Sequence, residues 1–95
     1  MNFPLIENCQ SIGYVAKPYG GNGTVLIALK ALRSAELAKR SYVLLDIQHK
    51  LVPFFIEECI DKNNNIYIKF CDIHSVEDAE KIAGITMYIE KTNDN

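Results

Sequence analysis

Residues 11–32 read SIGYVAKPYGGNGTVLIALKAL, and the choice between two readings of this stretch decides the fold class. Three glycines, Gly20, Gly21 and Gly23, fall within four positions shortly after Pro18. A cluster of that kind forms a turn or loop, not a regular element. A helix after it would make the strand, glycine loop and helix that open a nucleotide-binding α/β fold. A strand after it would make an antiparallel pair. Residues 24–32 contain Ala and Leu, which favour a helix. They open on the β-branched Thr24 and Val25, however, and set Val25, Ile27 and Leu29 on one face. The β-branched start and the preceding turn favour the strand. Upstream, residues 11–17 alternate, with Ile12, Tyr14 and Ala16 expected on one face of a first strand. The loop also fails the P-loop pattern, because no Lys follows Gly23.

The rest of the chain continues in short strands. Residues 34–40 (SAELAKR) read as one or two helical turns, with Ser34 as N-cap. Residues 41–47 alternate, with Val43, Leu45 and Ile47 on one side, and a polar turn at 48–50 follows. Residues 51–60 (LVPFFIEECI) form a long strand with Val52, Phe54, Ile56 and Ile60 on one side. Pro53 cannot donate a ladder hydrogen bond, so it belongs near the strand's start or at an edge. The run 61–65 (DKNNN) is a hairpin loop, and 66–72 is the next strand, with Ile66, Ile68 and Phe70 inward. Ser75 opens the best-signalled helix, with Asp78 in the usual Glu/Gln place of a capping box. Its expected apolar stripe is Val76, Ala79, Ile82 and Ala83, and Gly84 suits the position that ends it. Residues 85–90 are a last strand. Six strands without a βαβ rhythm predict a mainly β fold: a closed or nearly closed antiparallel barrel with one short C-terminal helix. Residues 11–90 are the expected barrel, 1–10 a loose arm and 91–95 a disordered tail.

The chain has 95 residues, enough for one domain. Its net charge of −2 is unlike that of a domain gripping nucleic acid by charge alone. The charge is unevenly spread. Residues 1–40 hold five basic and two acidic side chains, a net of +3, and residues 41–95 hold five basic and ten acidic, a net of −5. This reads either as chance distribution over a solvated surface or as an N-terminal half that meets any acidic or RNA partner. Three cysteines, Cys9, Cys59 and Cys71, suit a reducing compartment, and Cys59 and Cys71 read as buried fillers within apolar runs. Pro4, Glu7 and Asn8 interrupt any signal-peptide pattern, and no apolar run reaches the ~20 residues of a membrane span. A soluble, cytoplasmic protein with no membrane partner is expected.

Tests for chemistry come out negative. Cys9, His49, Cys59, Cys71 and His74 show no metal-ligand spacing. Glu57 and Glu58 are neighbours on a strand and point to opposite faces, so they form no carboxylate dyad. Cys71 and His74 lack a third orienting group. No catalytic residue, metal or cofactor is assigned. Tyr19, at the tip of the glycine loop, is the tyrosine hardest to place in a core. It reads either as an interface anchor or as a ring packed back on its own loop.

The stretch from Ile12 to Val25 resembles the opening signature of the RimM family of ribosome maturation factors, with its Lys-Pro-His-Gly-x-x-Gly-x-Val run. Val52-Pro-Phe-Phe-Ile-Glu57 is similar to a second family strand. Ile68-Lys-Phe70, Asp72-Ile73, Glu77-Asp-Ala-Glu80 and Gly84 are similar to a third run. Together they span about residues 11–90. Departures from the pattern are Tyr19 in place of histidine, Gly21 in place of an aliphatic residue and Asn22 in place of a basic one. The resemblance implies a barrel of the translation-factor type. It implies a non-catalytic chaperone of small-subunit head maturation and 16S rRNA processing, with no cofactor. The implied partners are a ribosomal protein of the head and the 30S subunit, with rRNA met indirectly, by a monomer. The loop residues Lys17, Pro18, Tyr19, Gly20, Asn22 and Gly23 are the expected partner-binding site. A stand-alone β-barrel binding an unrelated protein is the alternative.

Overall fold

Each predicted strand finds an antiparallel neighbour in the computed structural model, which describes residues 6–91. The strands are β1 (Cys9–Pro18), β2 (Val25–Leu29), β3 (Tyr42–Ile47), β4 (Lys50–Lys62), β5 (Asn65–Phe70) and β6 (Thr86–Glu90). They close into a barrel in the order β1-β2-β5-β4-β3-β6. Closure removes the unpaired edges that an open sheet of this size would expose. Two short helices interrupt the strands: α1 (Ser34–Ala38) between β2 and β3, and α2 (Val76–Ile82) between β5 and β6. The interior is filled by Ile12, Val15, Val25, Ile27, Val43, Leu45, Ile68, Phe70 and Met87, with Leu37 of α1 and Ala79 and Ile82 of α2 in the same cluster. Burial of each large side chain contributes roughly 1.5–3 kcal/mol.

Strict alternation fails where the strands bulge. β1 shifts register against β6 between Ser11 and Gly13, and against β2 between Val15 and Lys17. Ile12 and Val15 therefore face the core, while Tyr14, expected beside Ile12, turns outward and lies 5.8 Å beneath the Lys30 ammonium. A third shift, between Ile56 and Glu58, resets β4. An extra residue flips every later side chain to the other face. Ile60, expected inward, is thus 42% exposed, and Cys59 packs against the core instead.

Pro53 sits within β4 where its missing N–H costs nothing. The Ile56 amide donates to the Ser41 carbonyl, and the register then gives the ladder bonds to the pairs Val43–Phe54 and Leu45–Val52. Pro53, opposite Leu44, falls between them. Pairing with β5 begins only at Ile56.

Other expectations need correction. The arm expected over 1–10 ends earlier, because residues 6–8 form a 3-10 turn and Cys9 already pairs with Glu90. The expected tail lies outside the described residues except for Lys91, as do residues 1–5 of the arm. Ser34 is the first residue of α1 and not its cap; Arg33 holds that place, and the Ser34 hydroxyl donates instead to Asp61 Oδ2 at 2.6 Å. Ser75 does cap α2, accepting from the Asp78 amide at 3.1 Å. Only Ala79 and Ile82 of the expected stripe are buried; Val76 and Ala83 are exposed because the short helix turns a narrow face inward. Cys71 is exposed in the turn after β5.

Candidate functional site

The glycine loop leaves β1 at Pro18 and returns at Val25, which face each other in the ladder. The Tyr19 amide donates to the Thr24 carbonyl at 2.8 Å and closes the loop. Asn22 braces it from within: its Oδ1 accepts from the Thr24 amide at 3.1 Å and from the Thr24 hydroxyl at 2.8 Å. Side-chain bonds of this local kind are why asparagine suits turns.

Two glycines serve different needs. Gly20 has φ 76° with open space where a Cβ would stand. Gly23 has φ 97°, and a Cβ there would lie 2.3 Å from the Ile73 carbonyl oxygen and 2.9 Å from the His74 nitrogen. Gly23 thus seats the loop directly on the backbone of the 71–75 turn.

That turn is in its turn held by Lys69. The Lys69 side chain is buried, and its Nζ donates to the Phe70 carbonyl at 2.8 Å. The same Nζ lies 3.4 Å from His74 Nδ1 and 3.8 Å from a Glu57 carboxylate oxygen. A lysine is seldom buried without such partners.

Tyr19 neither enters the core nor folds back on its own loop. Its ring meets that of Tyr67 on β5, with centroids 4.3 Å apart and planes tilted by 41°. Tyr19 nevertheless stays 52% exposed. The two rings border an open concavity of about 620 Å³ whose other walls include Asn22, Glu58, Ile60 and Lys62. Leu26, Tyr67 and Ile60 are successive cross-strand partners along β2, β5 and β4, so they share the outer face of the sheet.

Of the residues expected from the sequence, Tyr19, Gly20 and Asn22 line this concavity. Lys17 is exposed at the end of β1, Pro18 is half-buried in the ladder, and Gly23 is buried beneath the loop. The sequence reading missed Tyr67, Glu58, Ile60 and Lys62. Tyr67 carried a signal, being an aromatic residue on the solvent side of a strand whose Ile66 and Ile68 face inward. Ile60 carried none, because the bulge behind it is invisible to alternation. Near this wall, burial, then the Asp61 charge, pushes the Cys59 thiol above its ordinary value. Among the described residues, no three His, Cys, Asp or Glu side chains are grouped to hold a metal ion.

This architecture can be set beside known proteins. A family model described as the RimM N-terminal domain matches residues 10–94. The chain belongs to the RimM N-terminal domain family. Two relatives, each called ribosome maturation factor RimM, show how far the likeness extends. The one from Flavobacterium johnsoniae is 32% identical over 87 residues, covering 90% of this chain and 50% of the relative. The one from Christiangramia forsetii is 33% identical over 84 residues, covering 87% and 48%. The chain spans about half the length of these curated RimM relatives. A crystal structure from Pseudomonas aeruginosa, described as a 16S ribosomal RNA processing protein RimM, matches with a TM-score of 0.79 at 15% identity. It covers 90% of this chain and 52% of that one, and bears on the fold alone. The RimM-like signature in residues 12–25 occupies β1, the glycine loop and the start of β2.

Proposed function

We propose that this domain is a non-catalytic module of ribosome assembly, acting in the cytoplasm on the small subunit. In this reading it takes part in maturation of the subunit's head and in 16S rRNA processing, and it holds a ribosomal protein of the head through the loop at 17–23. Family membership and the names of the RimM relatives support the assembly role. The observation that carries the binding role is the exposed Tyr19 ring, packed against Tyr67 beside an open concavity. A large ring held by a braced loop gives contact area at small entropic cost.

The test is capture of dissociated small-subunit proteins by the immobilised domain. Tyr19→Ala is the variant, and Phe55→Ala, on an exposed ring elsewhere, is the control. Enrichment of one protein by the parent chain and by Phe55→Ala, but not by Tyr19→Ala, is the expected result. Equal capture by all three would remove the loop from the binding role.

A further inference from the structure

We propose that the concavity beside the glycine loop receives an arginine side chain of a protein partner. This deepens the reading above and rests on it. The walls offer the three things a guanidinium uses. The Tyr19 and Tyr67 rings supply π faces for stacking. The Glu58 carboxylate supplies a pair of acceptors, and among the described residues it has no ion-pair or hydrogen-bond partner of its own. Ile60, 42% exposed on the same wall, gives the methylene stem an apolar surface.

Charge separates this occupant from a nucleic acid. Of the charged side chains on β4, Glu58 and Lys62 line the concavity, while Glu57 lies against Lys69 and Asp61 accepts from the Ser34 hydroxyl. Phosphate binding draws on clustered cations, and the lining holds a single one, Lys62, with the Glu58 carboxylate on the same wall. A protein that lives against RNA carries surplus arginine, since the planar fork suits phosphate. Such a protein presents the complementary side chain. Arginine fits better than lysine, because a compact ammonium cannot stack on a ring and engage both carboxylate oxygens together.

The experiment is an NMR titration of the isotope-labelled domain with three blocked tripeptides, acetyl-Gly-X-Gly-amide with X as Arg, Lys or Gln. The Arg peptide is expected to give saturable shifts of the Tyr19 and Tyr67 ring signals. Its affinity is expected to exceed that of the Lys peptide by about five-fold and to fall about ten-fold in Glu58→Gln. Lys62→Gln should leave it unchanged or strengthen it. Equal response to the three peptides, no saturable shift, or indifference to Glu58→Gln would overturn the assignment. So would saturation of the same rings by an oligouridylate strand with loss in Lys62→Gln, which would make this an RNA surface. Capture of the small-subunit protein separates this inference from the reading beneath it. Capture lost in Tyr19→Ala but intact in Glu58→Gln, with both variants folded, retains the loop and discards the arginine. Capture lost in both supports the arginine, and capture intact in both discards both.

Discussion

Two aromatic pairs lie on the outside of this barrel, and they are finished differently. Tyr42 of β3 packs against Phe55 of β4, with ring centroids 5.4 Å apart. The Tyr42 hydroxyl donates to a Glu90 carboxylate oxygen on β6. Tyr42 and Tyr88 cover a second small core of Cys9, Leu44 and Leu51. Tyr19 and Tyr67 stand closer, at 4.3 Å, yet they border open space, and among the described residues neither hydroxyl has a hydrogen-bond partner. In the first pair Tyr42 seals a piece of the fold, while its partner Phe55 stays 53% exposed. The second presents an open surface. An exposed aromatic ring thus says little until its partners are counted.

The largest effect is expected beneath the open pair. Gly23→Val forces a β-branched residue to φ 97° against the Ile73 carbonyl and should cost about 3–4 kcal/mol, read as a lowered urea midpoint. Gly20→Val meets open space and bears backbone strain alone, about 1–2 kcal/mol. Equal losses at both glycines would mean that the loop is not seated on 71–75. At the sealed pair, Leu44→Ala empties a fully buried position and should cost about 2–3 kcal/mol by the same measurement. A loss below that of a surface substitution would dissolve the claimed second core.

A smaller effect belongs to the Tyr42 hydroxyl. Tyr42→Phe should lower stability by about 1 kcal/mol at neutral pH. Its phenol is pushed above the ordinary tyrosine value, first by the bond to Glu90 and then by burial and the Glu90 charge. A folded value above the unfolded one means that this contribution is fully present below about pH 10. It is lost as pH rises through the folded value. Stability curves of the parent chain and Tyr42→Phe should therefore converge at alkaline pH, and parallel curves would reject the bond. The smallest effect on stability is expected from Tyr19→Ala, below about 1 kcal/mol, with its consequence confined to binding. A loss of the size predicted for Leu44→Ala would put Tyr19 in the same class as the sealed pair.

The sequence made the strands legible and left their bulges hidden. Alternation in 66–72 placed Ile66, Ile68 and Phe70 correctly because β5 pairs without a register shift of its own making. The same rule misplaced Tyr14 and Ile60, whose strands each take in an extra residue. Turn chemistry shows a similar split. Asn63 and Asn64, at φ 53° and 66°, occupy the left-handed conformation that asparagine tolerates, and the run of asparagines announced them. Gln48 and His49 adopt φ 51° and 70° in an equivalent two-residue hairpin, where only their polarity marked a turn. The candidate site was half legible. Tyr19 and its glycines are contiguous in sequence, whereas Tyr67, Ile60 and Glu58 reach it only when β5 and β4 come round beside β2.

The central claim is that the open pair, and not the sealed one, faces the partner. A photo-reactive benzophenone amino acid in place of Tyr19, or in place of Phe55, tests it on dissociated small-subunit proteins. A cross-link to one ribosomal protein from position 19, absent from position 55, is the predicted result. Cross-links from position 55 alone would contradict the account and move the binding face to the β3–β4 surface around Phe55.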